Sequence, residues 1–384
     1  MSHRKKQEMT PIIGERLRRQ REAVGMKVTE LADLLGVSRN TITNYESGKT
    51  EPGASELMKI VRSLGCSLMD LLPGEQELPA TRFAFRAHQE LRTNRRILAS
   101  AQKFLRAYAD IEAITGTRLL PRLREFPIDP EKEDGEEEIE RAAAYTRDKC
   151  STTDWAPERI AQVLESLGIR CLFFDWEGAG LDALSVVQGD MKLVMLHRRK
   201  RVVERTIMSA AHELGHLVLH PDLFTSRPND KLDGREYEKQ ANFFAGCFLV
   251  PTKDLEEIWR SERLDRLPLE RALLLLKEVF RVSFWALYQR VLQIGLAEME
   301  YRHMVQRVKR MLGVTGRAKM EELEPNPLPE EALHLTTRFQ RLICSAFLQG
   351  EIGTAKVAEM LQMTVEEAKE LTTGWVTVES QLVA

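Results

Sequence analysis

The sequence holds few cysteines, and their spacing suits neither a disulfide framework nor a metal knuckle. Cys66, Cys150, Cys171, Cys247 and Cys344 are scattered, odd in number and contain no C-x-x-C. That excludes cysteine-bound zinc and predicts reduced thiols in a cytoplasm. Long apolar runs are missing as well. No window approaches the roughly 18 consecutive apolar residues that a membrane helix requires. The charged start Met1-Ser2-His3-Arg4-Lys5-Lys6 has no apolar stretch behind it, so neither secretion nor membrane insertion is expected. A strong charge of either sign is also absent: the net charge is -2 over 384 residues. The whole chain is therefore no polyanion binder, and any nucleic-acid contact has to come from a local patch. The 43% hydrophobic and 30% charged residues describe an ordinary globular protein with ample core. A chain of this length predicts two to three domains.

Against that plain background, Ala210-Ala211-His212-Glu213-Leu214-Gly215-His216-Leu217-Val218-Leu219-His220 stands out as an amphipathic helix carrying H-E-x-x-H. Residues four apart on a helix share a face, with Cβ atoms about 5–6 Å apart. His212 and His216 can therefore meet on one metal ion, while Glu213, one step round, can address a metal-bound water. Two histidines and a glutamate base form the zincin pattern, which is completed by a third ligand further along. His220 repeats the four-residue step. Eight residues of helix rise about 12 Å, however, so one ion cannot hold both His212 and His220. His220 is read either as a supporting or substrate-contacting residue, or as a capping or core histidine before Pro221.

Downstream, Glu236-Tyr237-Glu238-Lys239-Gln240-Ala241-Asn242-Phe243-Phe244-Ala245 has helical periodicity. Ala241, Phe244, Ala245 and Phe248 lie on one face with Glu238 beside them. The pairing of H-E-L-G-H with E-x-x-A-N-x-F-A and then Leu249-Val250-Pro251 resembles the ImmA/IrrE family of zinc peptidases. The resemblance implies that Glu238 is the third ligand; Glu236, two residues away, is the competing choice and faces elsewhere. It also implies a zincin-like domain with a small sheet, whose strand edge can align a substrate peptide by β-addition. Family members often place Asn after the second strand, whereas this chain has His197-Arg198-Arg199-Lys200-Arg201.

From Pro11 to Leu72 the pattern predicts five short helices. Gly36 stops the second, Ser38 caps the third, and Gly65-Cys66-Ser67 opens the fifth. The run L-A-x-x-L-G-V-S-x-x-T-I-x-x-Y-E-x-G-K-x-x-P, Leu31 to Pro52, resembles the Cro/phage-repressor-like (XRE) helix-turn-helix family. In such motifs the second helix enters the major groove, which assigns Arg39, Asn40, Thr43 and Asn44 to base edges. Lys27 and Lys49 are assigned to phosphates. Leu31, Leu34, Val37, Ile42, Leu57 and Ile60 are read as core. Residues 1–72 hold 12 Lys and Arg against 9 Asp and Glu, so tight binding calls for a dimer or a good operator.

The expected fold is mainly α with a small β-sheet. It divides into a helix-turn-helix domain (11–72), a helical connector and acidic linker (78–139), a zincin-like α+β peptidase domain (140–300) and a helical C-terminal region (301–384). Leu78–Leu120 reads as helical, and Gly168–Phe174 and Met191–Leu196 read as strands. Leu335–Leu371 reads as paired helices of helix-turn-helix type without a basic face, hence a packing or dimerisation element. The resemblances imply a cytoplasmic regulator with Zn2+, or Mn2+ as activating ion. Its partners would be an operator duplex and a protein substrate, a helix-turn-helix repressor or the chain itself. Homodimerisation is part of this reading and a membrane is not. The competing reading is a repressor whose metal site is structural or sensory.

Overall fold

The computed structural model describes residues 13–22, 24–64, 66, 71, 81–83, 95–128, 135–150, 155–175, 182–198, 202–224, 234–316 and 323–383. The N-terminal helices are α1 (residues 13–22), α2 (Val28–Leu35), α3 (Arg39–Glu46) and α4 (Ala54–Leu64). Gly36 ends α2 in the left-handed region at φ 69°, where a side chain would be strained. Ser38 then caps α3, its Oγ accepting a hydrogen bond from the Thr41 amide at 3.1 Å. Leu31, Ile42 and Ile60 are fully buried beneath these helices. Leu34, expected in the core, is 48% exposed on α2, and Val37 and Leu57 are only half-buried. Of the expected fifth helix, Leu71 is helical and buried, while residues 67–70 and 72–73 lie outside the described residues.

The arginines of α1 are largely spoken for. Arg18 pairs with Glu22 and Arg19 with Glu15 on its surface. Arg21 is buried, donates to Glu46 on α3 through both Nε and Nη2 (3.0 Å for the latter), and donates to the Met26 carbonyl at 2.7 Å. This fork ties the first helix to the end of the third. Gly14 permits the contact, because a Cβ there would sit 2.3 Å from the Tyr45 carbonyl oxygen.

A four-stranded sheet forms the middle of the molecule, in the order β1-β3-β4-β2. Its strands are β1 (Thr81–Phe83), β2 (Arg170–Phe174), β3 (Ala183–Gln188) and β4 (Met191–His197). β2 runs parallel to β4, while β3 is antiparallel to both β4 and β1. Two of these strands were expected. β3 was not, and the stretch holding β1 was read as helix; the next helix, α5, begins only at Arg95 and ends at Ile114. Residues 84–94 of that expected helix lie outside the described residues.

Both faces of the sheet are covered. Cys171, Phe173, Ala183, Val194 and Leu196 share a core with α6 (Gly135–Asp148), α7 (Ile160–Ser166) and α8 (Val203–Leu219). Leu172, Leu184, Val186, Leu193 and Met195 share the other core with α5, with the N-terminal helices and with α14 (Arg338–Leu348). Glu112 of α5 joins these layers, accepting from Arg170 of β2 at 2.6 Å and from Arg338 of α14 at 2.8 Å. Beyond α8 come α9 (Gly234–Leu249), α10 (Thr252–Ser261), α11 (Leu269–Phe280), α12 (Phe284–Gln293) and α13 (Tyr301–Leu312). After α14 come α15 (Thr354–Leu361), which packs on α5, and α16 (Val365–Val383), which packs on α14 and α15.

Arg21→Ala leaves Glu46 as an uncompensated buried carboxylate, a change that costs about 3–5 kcal/mol. Amide hydrogen exchange in α1–α3 of the full chain should accelerate accordingly, while protection in α8 and α9 stays as in the wild type. Unchanged protection of α1–α3 would mean that the fork does not hold the module together.

Candidate functional site

α8 and α9 cross at unusually short range, and the sequence supplies the reason. A Cβ on Gly215 would lie 3.1–3.2 Å from the Ala241 backbone and 3.2 Å from the Phe244 ring. Glycine inside H-E-L-G-H and alanine inside E-x-x-A-N thus allow backbone to approach backbone. Around this contact Leu214, Leu217, Phe244 and Phe248 are fully buried. The crossing sets Glu238 of α9 against the histidine face of α8.

His212, His216 and Glu238 come together, with one potential ligand atom from each lying within 4.8 Å of the others. The two Nε2 atoms are 3.0 Å apart. Glu238 reaches them at 3.3 Å (His212) and 3.4 Å (His216). Glu236 is elsewhere, paired with Lys239 at 2.6 Å on the surface. Glu213 is buried, and its charge raises the His212 pKa.

The outer ring nitrogens fix which inner ones are free. His212 Nδ1 lies 2.9 Å from Asn242 Oδ1, an acceptor, so Nδ1 carries the proton and Nε2 the lone pair. His216 Nδ1 lies 3.0 Å from His220 Nδ1, and His220 Nε2 lies 2.8 Å from Gln240 Oε1. Because Gln240 Oε1 only accepts, His220 donates from Nε2, accepts at Nδ1, and leaves His216 donating outward. His220 is fully buried; burial first, then the neighbouring His216, pushes its pKa down to about 3 and keeps it a neutral relay. Of the readings open for His220, the supporting one is what the geometry carries. Asn242 and Gln240 were not singled out from sequence, although Asn242 sits one helical turn beyond Glu238 and so shares its face.

Two lone pairs and a carboxylate converging this closely repel one another unless a cation lies between them. Glu238 Oε1 is buried without a hydrogen-bond partner, as a metal-ligating oxygen would be before its ion arrives. The pKa directions report the same field. Burial disfavours the charged forms, yet the hydrogen bond to Glu238 and the charges of Glu213 and Glu238 raise His212. Burial likewise opposes the Glu238 carboxylate, but His212 and His216 hold it well below the usual carboxylate range. The donor set fits a divalent ion that takes nitrogen and carboxylate oxygen. Asn242 also stands in the wall of a cavity of about 620 Å³, lined in part by Met208, Phe243 and Trp285.

In the N-terminal module, Arg39, Asn40 and Thr43 are exposed along α3 and Asn44 is half-buried, while Lys27 and Lys49 are exposed at the ends of α2 and α3. The Thr43 hydroxyl donates to the Arg39 carbonyl at 3.1 Å, which fixes its rotamer. The basic cluster at 197–201, which follows β4, is described only for His197 and Arg198.

Two segments of the chain match two separate families. Residues 164–292 match the IrrE N-terminal-like domain of peptidase family M78. Residues 17–71 match a helix-turn-helix family of XRE type. The helix-turn-helix part is similar to repressor protein C2 of Salmonella phage P22, 32% identical over 83 residues, or 22% of this chain and 38% of that protein. It is also similar to the SPbeta prophage-derived uncharacterized HTH-type transcriptional regulator YonR of Bacillus subtilis (strain 168), 40% identical over 63 residues. That match covers 16% of this chain and 58% of that protein, so the chain spans 38% and 58% of these two curated relatives. The chain thus joins a segment that matches the XRE-type helix-turn-helix family to one that matches the IrrE N-terminal-like domain of peptidase family M78. Among the described residues, no helix is long and apolar enough to cross a membrane.

Gly215→Ala should test the close helix crossing. Overpacking of this kind costs about 1–3 kcal/mol, read as a lower urea midpoint for the domain. A stability equal to wild type would show that the crossing tolerates a methyl group, the gain in helix propensity of about 1 kcal/mol offsetting the contact.

Proposed function

We propose that the peptidase-family domain is a zinc-dependent endopeptidase, with His212, His216 and Glu238 as the metal ligands. Mn2+ is the alternative activating ion. The observation that carries this reading is the convergence of three ligand atoms whose outer partners leave the metal-facing lone pairs free, beside a buried glutamate. When bound, the ion supplies Lewis-acid chemistry: it polarises the scissile carbonyl and lowers the pKa of a water toward about 7. Glu213 takes that water's proton as the attack proceeds and returns it to the departing amine. Asn242 and the His220–Gln240 relay hold the two imidazoles in the tautomer and orientation that this requires.

The substrate proposed is a helix-turn-helix repressor, or the chain's own N-terminal half, cut in the cytoplasm to change transcription. The helix-turn-helix module is proposed to bind an operator as a dimer, with Arg39, Asn40, Thr43 and Asn44 at base edges and Lys27 and Lys49 on phosphates. Exposure of Arg39, Asn40 and Thr43 on one helix supports that assignment.

The metal assignment is tested by zinc titration of two variants. Glu238→Gln should weaken binding sharply and Glu236→Gln hardly at all; the reverse order would move the third ligand to Glu236. The chemistry is tested with Glu213→Gln, which should keep metal and fold yet slow cleavage of a co-expressed repressor by about 10²–10⁴-fold. If the wild type, metal-replete, cuts neither a repressor nor itself, the metal site is structural or sensory and the chain is a repressor only.

For DNA, Arg39→Ala should relax preference at one base pair, at a cost of about 1–3 kcal/mol for a bidentate contact. Lys49→Ala should weaken all duplexes alike and flatten the salt dependence. Equal affinity for selected and random duplexes would remove sequence-specific recognition.

A further inference from the structure

Proteases need their target backbone extended, because a helical carbonyl is already occupied by its own hydrogen bond. Adding the target as a strand to a sheet edge achieves this and depends on main-chain contacts. Among β2, β3 and β4, the outer strand beside the candidate metal helix is β3. β3 packs directly on α8, together with β4. The opposite edge strand, β2, lies against α7 and α14 instead.

The β3 edge is already taken by the chain itself. Thr81, Arg82 and Phe83 pair antiparallel with Gln188, Val187 and Val186. They come from a distant part of the sequence, between the helix-turn-helix module and α5. β1 also packs on the turn Pro221–Phe224 that immediately follows α8. Asp222 of that turn accepts a hydrogen bond at 2.7 Å from Tyr237, the neighbour of Glu238. Thus β1 runs beside the piece of backbone that braces both helices of the candidate metal site.

We propose that the edge of β3 over Val186–Gln188 is the substrate-binding edge of the peptidase site, and that Thr81–Phe83 occupies it as an internal strand until a substrate strand replaces it. This rests on the proteolytic reading for its function, though not for its geometry. The recognised partner is an extended segment of protein, read mainly through its backbone. Because it belongs to the same chain as the edge it covers, the internal strand competes at an effective concentration of about millimolar, so against a strand of about 0.1 mM intrinsic affinity it masks the edge roughly tenfold.

The test uses the full-length protein without metal and a fluorescein-labelled synthetic peptide spanning residues 78–88, followed by anisotropy. The combined variant Thr81→Pro, Arg82→Pro and Phe83→Pro removes the ladder donors. It should bind the peptide roughly tenfold more tightly than the wild type. A second combined variant, Thr81→Gly, Arg82→Gly and Phe83→Gly, weakens the strand while keeping its donors and should fall between the two. Equal peptide binding by all three proteins overturns the proposal. Cleavage of a repressor by the zinc-loaded proteins separates it from the functional reading. If the wild type cuts and the proline variant cuts no faster, the proposal fails while the protease reading stands. If the peptide is unmasked but nothing is cut, the docking edge stands and the protease reading fails.

Discussion

The structure of the candidate site depends on how closely α8 can approach α9. At Gly215 there is room for a hydrogen and little else before the Ala241 backbone is reached. A side chain at 215 would hold the helices apart, and Glu238 would retreat from both histidines together, since all three sit on the same pair of rigid elements. The apolar residues around the crossing, Leu214, Leu217, Phe244 and Phe248, are fully buried and resist such a retreat. Packing therefore sets the ligand geometry, and the polar side chains inherit it.

Electrostatics then acts on what packing has positioned. Converging lone pairs cost energy that a proton or a metal ion relieves: against the burial that disfavours charge, the carboxylates raise His212 and the two histidines depress Glu238. The orienting partners are chosen with the same economy. A buried neutral histidine can both accept and donate, so His220 passes the orientation of Gln240 on to His216 without adding a charge. A lysine or arginine in its place would put a cation beside the metal position; an aliphatic side chain would leave the His216 tautomer undetermined.

Local signals carried much of this into the sequence. H-E-x-x-H on the amphipathic stretch 210–220 foretold the metal-site part of α8, and the apolar face of α9 was readable from Ala241, Phe244, Ala245 and Phe248. Gly36 and Ser38 marked the helix-turn-helix for the same reason: caps are local. What escaped was nonlocal. β3 is buried on both faces, so Ala183–Gln188 shows no alternation between polar and apolar residues to announce a half-buried strand. β1 exists only because β3 offers an edge, which no property of Thr81–Phe83 reveals. His220 could not be assigned because its partner Gln240 arrives through the α8–α9 crossing. Arg21 becomes a structural fork only through the proximity of Glu46, 25 residues further along the sequence.

The sheet also explains why the two modules are not simply strung together. Leu172, Leu184, Val186, Leu193 and Met195 form an apolar face that needs cover, and α5 and α14 provide it. Phe104 of α5 packs edge-on against Phe174 at 5.2 Å, and Tyr108 stacks on Phe339 of α14 at 4.7 Å. The same α5 meets the helix-turn-helix module, where Gln102 donates to Gln20 of α1 at 3.3 Å. A fragment cut at residues 140 and 300 would keep every candidate metal ligand yet bare this face of the sheet. Burial of apolar area is what stabilises a sheet of this size, so the metal helix rests, through the strands beneath it, on helices contributed by both ends of the chain. Helix α5, from the stretch expected as a connector, thus shares one apolar core with the sheet and with the helix-turn-helix module.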